Sequence, residues 1–299
     1  MALHADSPRN RLIGIGLVSI TFLCFAVLDG GAKWLVQALP VVMVVWLRFL
    51  VHALLTALLL APQLLRGALR PRKPKLQLLR ALFLPVMTGL NFWALQYLQL
   101  AETGSIQFSV PLIIALLASP ILGERMDRAR WTAIVVGFVG VLIIVRPGTQ
   151  GFHPALLLSL ITALLYALFN LLTRQLAAHD SPETTQFWSS IGATLAIMPF
   201  ALAAWHTPTA ALQWAVLALI GAAGGLGHYL LALAHRYAPA SVLAPFLYQQ
   251  IVWMMVIGYL VFGDVPDKAV VAGAAIVVAS GGYLFYRERA AAGARGGKG

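Results

Sequence analysis

The sequence predicts an all-α integral membrane protein: ten transmembrane helices arranged as two inverted five-helix repeats, with both termini cytoplasmic. Three observations predict it. The 299 residues are 60% hydrophobic and only 10% charged, with mean hydropathy +0.84, whereas a soluble domain carries about 25% charged residues. Apolar stretches of roughly 20 residues, the length that crosses hydrocarbon, recur along the whole chain. One short motif occurs twice, 140 residues apart: Gly123-Glu124-x-x-Asp127-Arg128-Ala129 and Gly263-Asp264-x-x-Asp267-Lys268-Ala269. Each copy follows the fourth span of its half. A duplicated unit with an odd number of spans inserts its second copy upside down.

The expected spans, in order, are Leu12–Leu35, Val41–Leu60, Gln77–Gln99, Thr103–Leu122, Arg130–Val145, Pro154–Leu176, Thr185–Trp205, Ala211–Tyr237, Ala240–Phe262 and Lys268–Tyr286. Arg9 and Arg11 precede an apolar stretch of full spanning length without a small-residue cleavage site, which reads as an uncleaved anchor. Orientation follows from basic residues, which are retained in cytoplasmic loops. With the N-terminus inside, Arg146 and Lys268 fall outside, Lys33 and Arg48 lie within spans, and the remaining 17 of 21 Lys and Arg fall inside. The run Arg66–Arg80 belongs to this topogenic set, with anionic lipid binding as the alternative. The +11 net charge is therefore explained without nucleic acid. The single cysteine, Cys24, provides neither a disulfide framework nor a Cys-based metal site. No cofactor and no metal are expected.

The duplication extends beyond the motif. Thr21, Asp29 and Lys33 of span 1 match Thr162, Asn170 and Arg174 of span 6. The expected organisation is a first repeat at 1–146, a linker at 147–152, a second, inverted repeat at 153–290, and a disordered basic tail at 291–299.

Five plus five helices, a Pro-bearing fourth helix (Pro111, Pro120) and a Gly-acid ending of the fourth helix in each half resemble the drug/metabolite transporter superfamily, EamA family. The resemblance covers essentially the whole chain. Within the superfamily the chain looks most similar to aromatic amino acid exporters. Asp264 departs from the Glu usual at that position. The resemblance implies a multipass bacterial inner-membrane carrier that exports amino acids, aromatic or otherwise apolar.

Residues that could carry such a function fall into three groups. In the repeated motif, Gly123, Glu124, Asp127, Gly263, Asp264 and Asp267 read as turns and helix caps, because a short carboxylate before a helix accepts backbone N–H groups and complements the dipole. A gating salt bridge is the alternative. Asp29 is the one acid clearly inside a span, and an acid in hydrocarbon needs a partner. Arg48 lies at a similar depth, and Lys33 is one turn away from Asp29. Asp29 is expected to pair with one of them, either as a structural ion pair or as a gate, proton site or substrate-charge site. If protons are coupled, Asp29, His52, His228 and His235 are the available carriers. The third group is the expected cavity between spans 1, 3, 4, 6, 8 and 9. Its candidates are Asn91, Trp93, Gln107, Tyr166, Asn170, His228, Tyr229, Tyr248 and Gln249. Amides in an apolar helix need partners, which interhelical bonds or a hydrated cavity supply. Gly221 and Gly225 form a GxxxG pair, which reads as a close helix crossing or as cavity lining.

The devices of an intramembrane enzyme are missing from the sequence: paired acid-rich motifs, a His-x-x-x-His cluster, or a Ser or Cys nucleophile with an evident base. A passive channel would need a continuous polar stripe. A nucleotide-sugar or phosphate-ester carrier would want several cavity cations, and only Arg48 and Lys33 qualify. The expected partners are therefore a small solute and the bilayer, with the chain a monomer or an oligomer of unassigned order.

Overall fold

The computed structural model describes residues 8–110, 112–114, 116–117, 128–146, 152–177, 179–237, 246 and 249–296. Among these every regular element is helical: α1 (Pro8–Leu35), α2 (Val41–Leu59), α3 (Ala61–Leu65), α4 (Pro74–Leu95), α5 (Leu100–Gln107), α6 (Arg128–Val145), α7 (Ala155–Ala177), α8 (Pro182–Ala203), α9 (Ala211–Tyr237), α10 (Gln249–Ile257) with a π turn at Gly258–Phe262, and α11 (Lys268–Gly296). By length and composition α1, α2, α4, α7, α8 and α9 can each cross a membrane. Shorter apolar helices lie at α5, α6, α10 and α11. The outer surface is apolar: Leu58, Phe138, Phe200 and Leu260 are all largely exposed. Lipid takes the place of water around such a surface.

Local chemistry sets the boundaries. α4 stops at Leu95, short of the expected Gln99, because the Gln96 side chain turns away to donate to the Val36 carbonyl at 2.6 Å. The Gln99 N–H then donates to Glu102 at 2.7 Å, which starts α5 at Leu100. Ser181 caps α8 by accepting from the Thr184 N–H at 3.1 Å, with Pro182 in the first turn. Gly263 ends the π turn at φ 70°, a left-handed conformation that suits glycine. α11 continues to Gly296, into the segment expected to be a disordered tail. The stretch Ala290-Ala291-Ala292 explains the difference, since alanine is the strongest helix former.

The contacts between the two halves come in matched pairs. Taking α1, α2, α4, α5 and α6 as equivalent to α7, α8, α9, α10 and α11, the α1–α9 contact has its mate in α7–α4, α2–α9 in α8–α4, and α1–α10 in α7–α5. α2–α8, α5–α10 and α6–α11 each pair equivalent helices. Two of these pairs, α2–α8 and α6–α11, cross antiparallel. On α6 and α11, Ser280 donates to the Ala133 carbonyl while Gly273 lies against Gly140, so rising numbers on one meet falling numbers on the other. On α2 and α8, His52 meets Gln186 at 2.9 Å near the start of α8, while the Trp46 ring lies 6.2 Å from that of Trp205, just past its end.

A polar clamp ties α4 to the α7–α8 turn. The Arg72 N–H donates to Asp180 Oδ1 at 2.6 Å, and Gln77 Nε2 donates to Asp180 Oδ2 at 2.9 Å and to Thr185 at 3.0 Å. Burial alone would raise the Asp180 carboxyl. The Arg72 N–H, the Gln77 amide, the Lys73 N–H and the nearby His179 outweigh it and hold the carboxyl below its ordinary range. A depressed carboxyl contributes stability above its unfolded pKa of about 3.9 and loses it as pH falls through the folded value. Asp180→Asn is therefore expected to lower thermal stability in detergent at pH 7 by about 1–3 kcal/mol. The gap from the unsubstituted protein should close below about pH 4. An unchanged gap across that range would mean that the charge of Asp180 contributes nothing.

Candidate functional site

A cavity of about 170 Å³ lies between the halves. Its wall is built by helical spacing. α4 presents Leu84, Met87, Thr88, Asn91 and Phe92, an i, i+3, i+4, i+7, i+8 stripe that forms one face. α1 adds Phe25, Leu28 and Asp29; α5 adds Gly104, Gln107 and Phe108; α7 adds Thr162 and Tyr166; α10 adds Gln250 and Met254. α9 contributes His228 and α2 contributes Arg48. α2 was not among the helices expected to line the cavity.

The charged groups are arranged differently from the expected pairing. Asp29, nine-tenths buried, accepts from Asn91 Nδ2 at 3.1 Å. It makes no salt bridge within 4.0 Å to Lys33 or Arg48. Lys33 reaches the other half and pairs with Asp264, its ammonium also lying 4.6 Å from the Phe262 ring centroid. Lys33 is one turn from Asp29 on α1, and neither Lys33 nor Asp264 is part of the cavity lining. Arg48 is only 5% exposed. Its guanidinium lies 4.3 Å from the Phe49 ring centroid, and Nε and Nη1 are buried without a hydrogen-bond partner.

Glycines on α9 make room for these side chains. A Cβ at Gly224 would stand 3.3 Å from Arg48 Nη2, one at Gly225 3.2 Å from His52 Cδ2, and one at Gly221 2.4 Å from Val51 Cβ. The same crossing stacks His52 on His228, with centroids 5.7 Å apart and planes 8° apart. Phe25 closes against the other side of His228 at 5.0 Å. A second arginine inside the bundle, the part-buried Arg80, lies outside the cavity lining. It donates to Thr173 at 2.8 Å and to Ser189, and packs on Phe169 at 4.0 Å.

Of the cavity residues expected from sequence, Asn91, Gln107, Tyr166 and His228 meet in this wall. Trp93 does not; it is half-exposed, because two residues along a helix from Asn91 is the opposite face. Tyr229 is likewise half-exposed, turned about 100° from His228. Asn170 folds back to donate to the Tyr166 carbonyl at 2.7 Å. Gln249 lies off the cavity with Oε1 buried and unpartnered, and its neighbour Gln250 takes the lining position. Thr88 and Thr162 join the lining unexpectedly, although the α4 stripe through Asn91 points to Thr88. Asp267 caps α11 by accepting from the Val270 N–H at 2.8 Å and pairs with Arg146 at 2.6 Å. The Val270 bond, against a smaller opposing effect of burial, holds its carboxyl below the ordinary range, with Arg146 adding to it. Gly123, Glu124, Asp127, Tyr248, Pro111 and Pro120 lie outside the described residues. Among the described residues no group of three or more His, Cys, Asp or Glu is placed to hold a metal ion.

A helical membrane bundle with matched halves and, between them, an apolar-walled cavity holding a few polar groups has the build of a carrier for small molecules. The chain belongs to the EamA-like transporter family, whose model matches twice, at residues 12–146 and 153–286. It is a multipass inner-membrane transporter of the drug/metabolite superfamily and not an enzyme. It is 28% identical to the S-adenosylmethionine uptake transporter of Rickettsia bellii, over 96% of this chain and 98% of that one. It is 30% identical to the riboflavin transporter of Vibrio cholerae, over 75% and 76% respectively. It is 26% identical to the pseudopaline exporter CntI of Pseudomonas aeruginosa, over 89% and 93%. A solved structure titled only as a crystal structure of protein matches with TM-score 0.62 at 20% identity, covering 95% of this chain and 99% of that chain. That likeness concerns the fold alone. The finer likeness to aromatic amino acid exporters finds no support in these relatives, whose named solutes are S-adenosylmethionine, riboflavin and pseudopaline.

Proposed function

We propose that the chain is a secondary transporter that moves small amphipathic metabolites by alternating access between two inverted five-helix repeats. The observation that carries this reading is the cavity at the meeting of the halves, walled by Phe25, Phe92, Phe108 and Tyr166 and holding Asp29, Arg48, Asn91 and Gln107. Apolar walls with a few convergent polar groups suit a solute with an apolar body and a polar head. The antiparallel crossings of α2 with α8 and of α6 with α11 support the inverted relation. At about 170 Å³ the cavity is smaller than the roughly 300–1,000 Å³ of ordinary small-molecule sites, so loading requires the halves to separate. The Lys33–Asp264 bridge closes one mouth, which is the outer one if both termini are cytoplasmic. Amino acid export is the finer form of this reading. The names of the relatives widen the solute range to S-adenosylmethionine and riboflavin and leave both directions of flux represented.

Counterflow in liposomes tests it. Purified protein should give saturable counterflow of at least one solute among the amino acids, S-adenosylmethionine and riboflavin. Flux that rises linearly with concentration would identify a channel, and no flux from folded protein would end the carrier reading.

A further inference from the structure

We propose that the cavity recognises a dipolar amino-acid head, with Arg48 holding the carboxylate and Asp29 the ammonium. This rests on the carrier reading above and adds the two residues that select the head group of the solute. Among the described lining residues Asp29 is the one carboxylate and Arg48 the one permanent cation. Both are buried and line the same cavity without forming a salt bridge to each other. Each also has capacity to spare. Arg48 leaves Nε and Nη1 without a partner, and Asp29 takes a single bond, from Asn91 through Oδ1. Other cations do not compete for Asp29, since Lys33 is committed to Asp264 and Arg80 to Thr173 and Ser189.

A buried guanidinium without a partner is expensive, and a bidentate carboxylate supplies two charge-assisted bonds in a matching plane. A carboxylate alone would leave Asp29 unanswered, and an amine alone would leave Arg48 unanswered. A dipolar head answers both and adds no net charge to the site. Asn91 and Gly224 hold the two charges apart: Asn91 fixes the carboxylate, and Gly224 seats the Arg48 side chain against α9. The side chain of the solute then faces Phe25, Met87, Phe92, Tyr166 and Met254. The arrangement suits an α-amino acid with an apolar or aromatic body, or a larger molecule that carries such a head. A flavin, which has neither group, would not use the pair.

The test is counterflow by the full-length chain in liposomes, with phenylalanine, methionine and S-adenosylmethionine set against phenethylamine, 3-phenylpropionate and riboflavin. The dipolar solutes should be carried, and the two singly charged phenylalanine analogues should compete roughly 10–100-fold less well. This comparison needs no variant. Arg48→Gln should abolish the preference for phenylalanine over phenethylamine, and Asp29→Asn the preference over 3-phenylpropionate. A purely structural role would lower all solutes together and leave the ratios unchanged, which would overturn the assignment. Saturable riboflavin counterflow without any dipolar solute, or equal competition by the singly charged analogues, would overturn it while leaving the carrier reading in place. No counterflow of any solute by folded protein would overturn both.

Discussion

Gly273→Ala is expected to destabilise the protein by at least about 2 kcal/mol, although alanine is the better helix former. The reason is the α6–α11 crossing. A Cβ on Gly273 would stand 2.6 Å from the Gly140 carbonyl oxygen and 2.6 Å from Ile144 Cγ1. A Cβ on Gly140 would stand 2.8 Å from the Gly273 carbonyl oxygen. Backbone cannot rotate away as a side chain can, so the helices must separate. Separation strips contacts along the whole crossing and strains the bond from Ser280 to the Ala133 carbonyl. In a bilayer such van der Waals packing and interhelical bonding replace the hydrophobic drive that holds a soluble bundle together. Gly282, on the same helix, provides the control. A Cβ there meets nothing within 4 Å, so Gly282→Ala should be neutral or gain up to about 1 kcal/mol from propensity. Thermal unfolding in detergent reads both variants. Equal effects at the two positions would mean that the crossing is looser than described.

Breaking the Lys33–Asp264 bridge is expected to have the second large effect, on both stability and access. The pair joins α1 to the segment before α11 across 231 residues of sequence, with side chains 11% and 20% exposed. Asp264→Asn keeps an amide oxygen for the Lys33 ammonium but removes the countercharge from a mostly buried cation, at a cost of about 2–4 kcal/mol. Under alternating access the lost contact weakens the closed outer mouth. An Asn91→Cys reporter in a Cys24→Ala background should then react several-fold faster with a membrane-impermeant thiol reagent added from outside. The exchange Lys33→Asp with Asp264→Lys should restore slow labelling, because the attraction is regained with its ends reversed. Labelling unchanged by Asp264→Asn would show that the bridge holds helices together without closing the path.

How far the site was legible in the sequence depended on the helix. On α4, polar Thr88 and Asn91 stand among Leu84, Met87 and Phe92 at helical spacing, so the cavity face was readable along that stripe. Trp93 has the depth of a cavity residue but faces outward, because depth in a span does not fix rotation about the helix axis. On α10 the adjacent amides Gln249 and Gln250 gave no means of choosing between them. Asp29 needed a partner by any account of charge in hydrocarbon. Asn91, from a helix separated by α2, could not be picked from spacing, while Lys33 at i+4 was the obvious local choice.

By itself the sequence determined that the chain is helical, membrane-embedded and duplicated. Those properties follow from composition, run length and a repeated motif, all of which are local or self-comparing. Only the tertiary structure decided that Lys33 serves Asp264, that Asn91 takes Asp29, and that Arg48 enters the cavity beside glycines of α9. The physical reason is that these helices are apolar on nearly every side. A soluble helix declares its buried face by contrast with water, but a helix bounded by lipid outside and packed side chains inside carries little such contrast. Which charges meet is then settled by the rotation and crossing of helices that lie far apart in the chain.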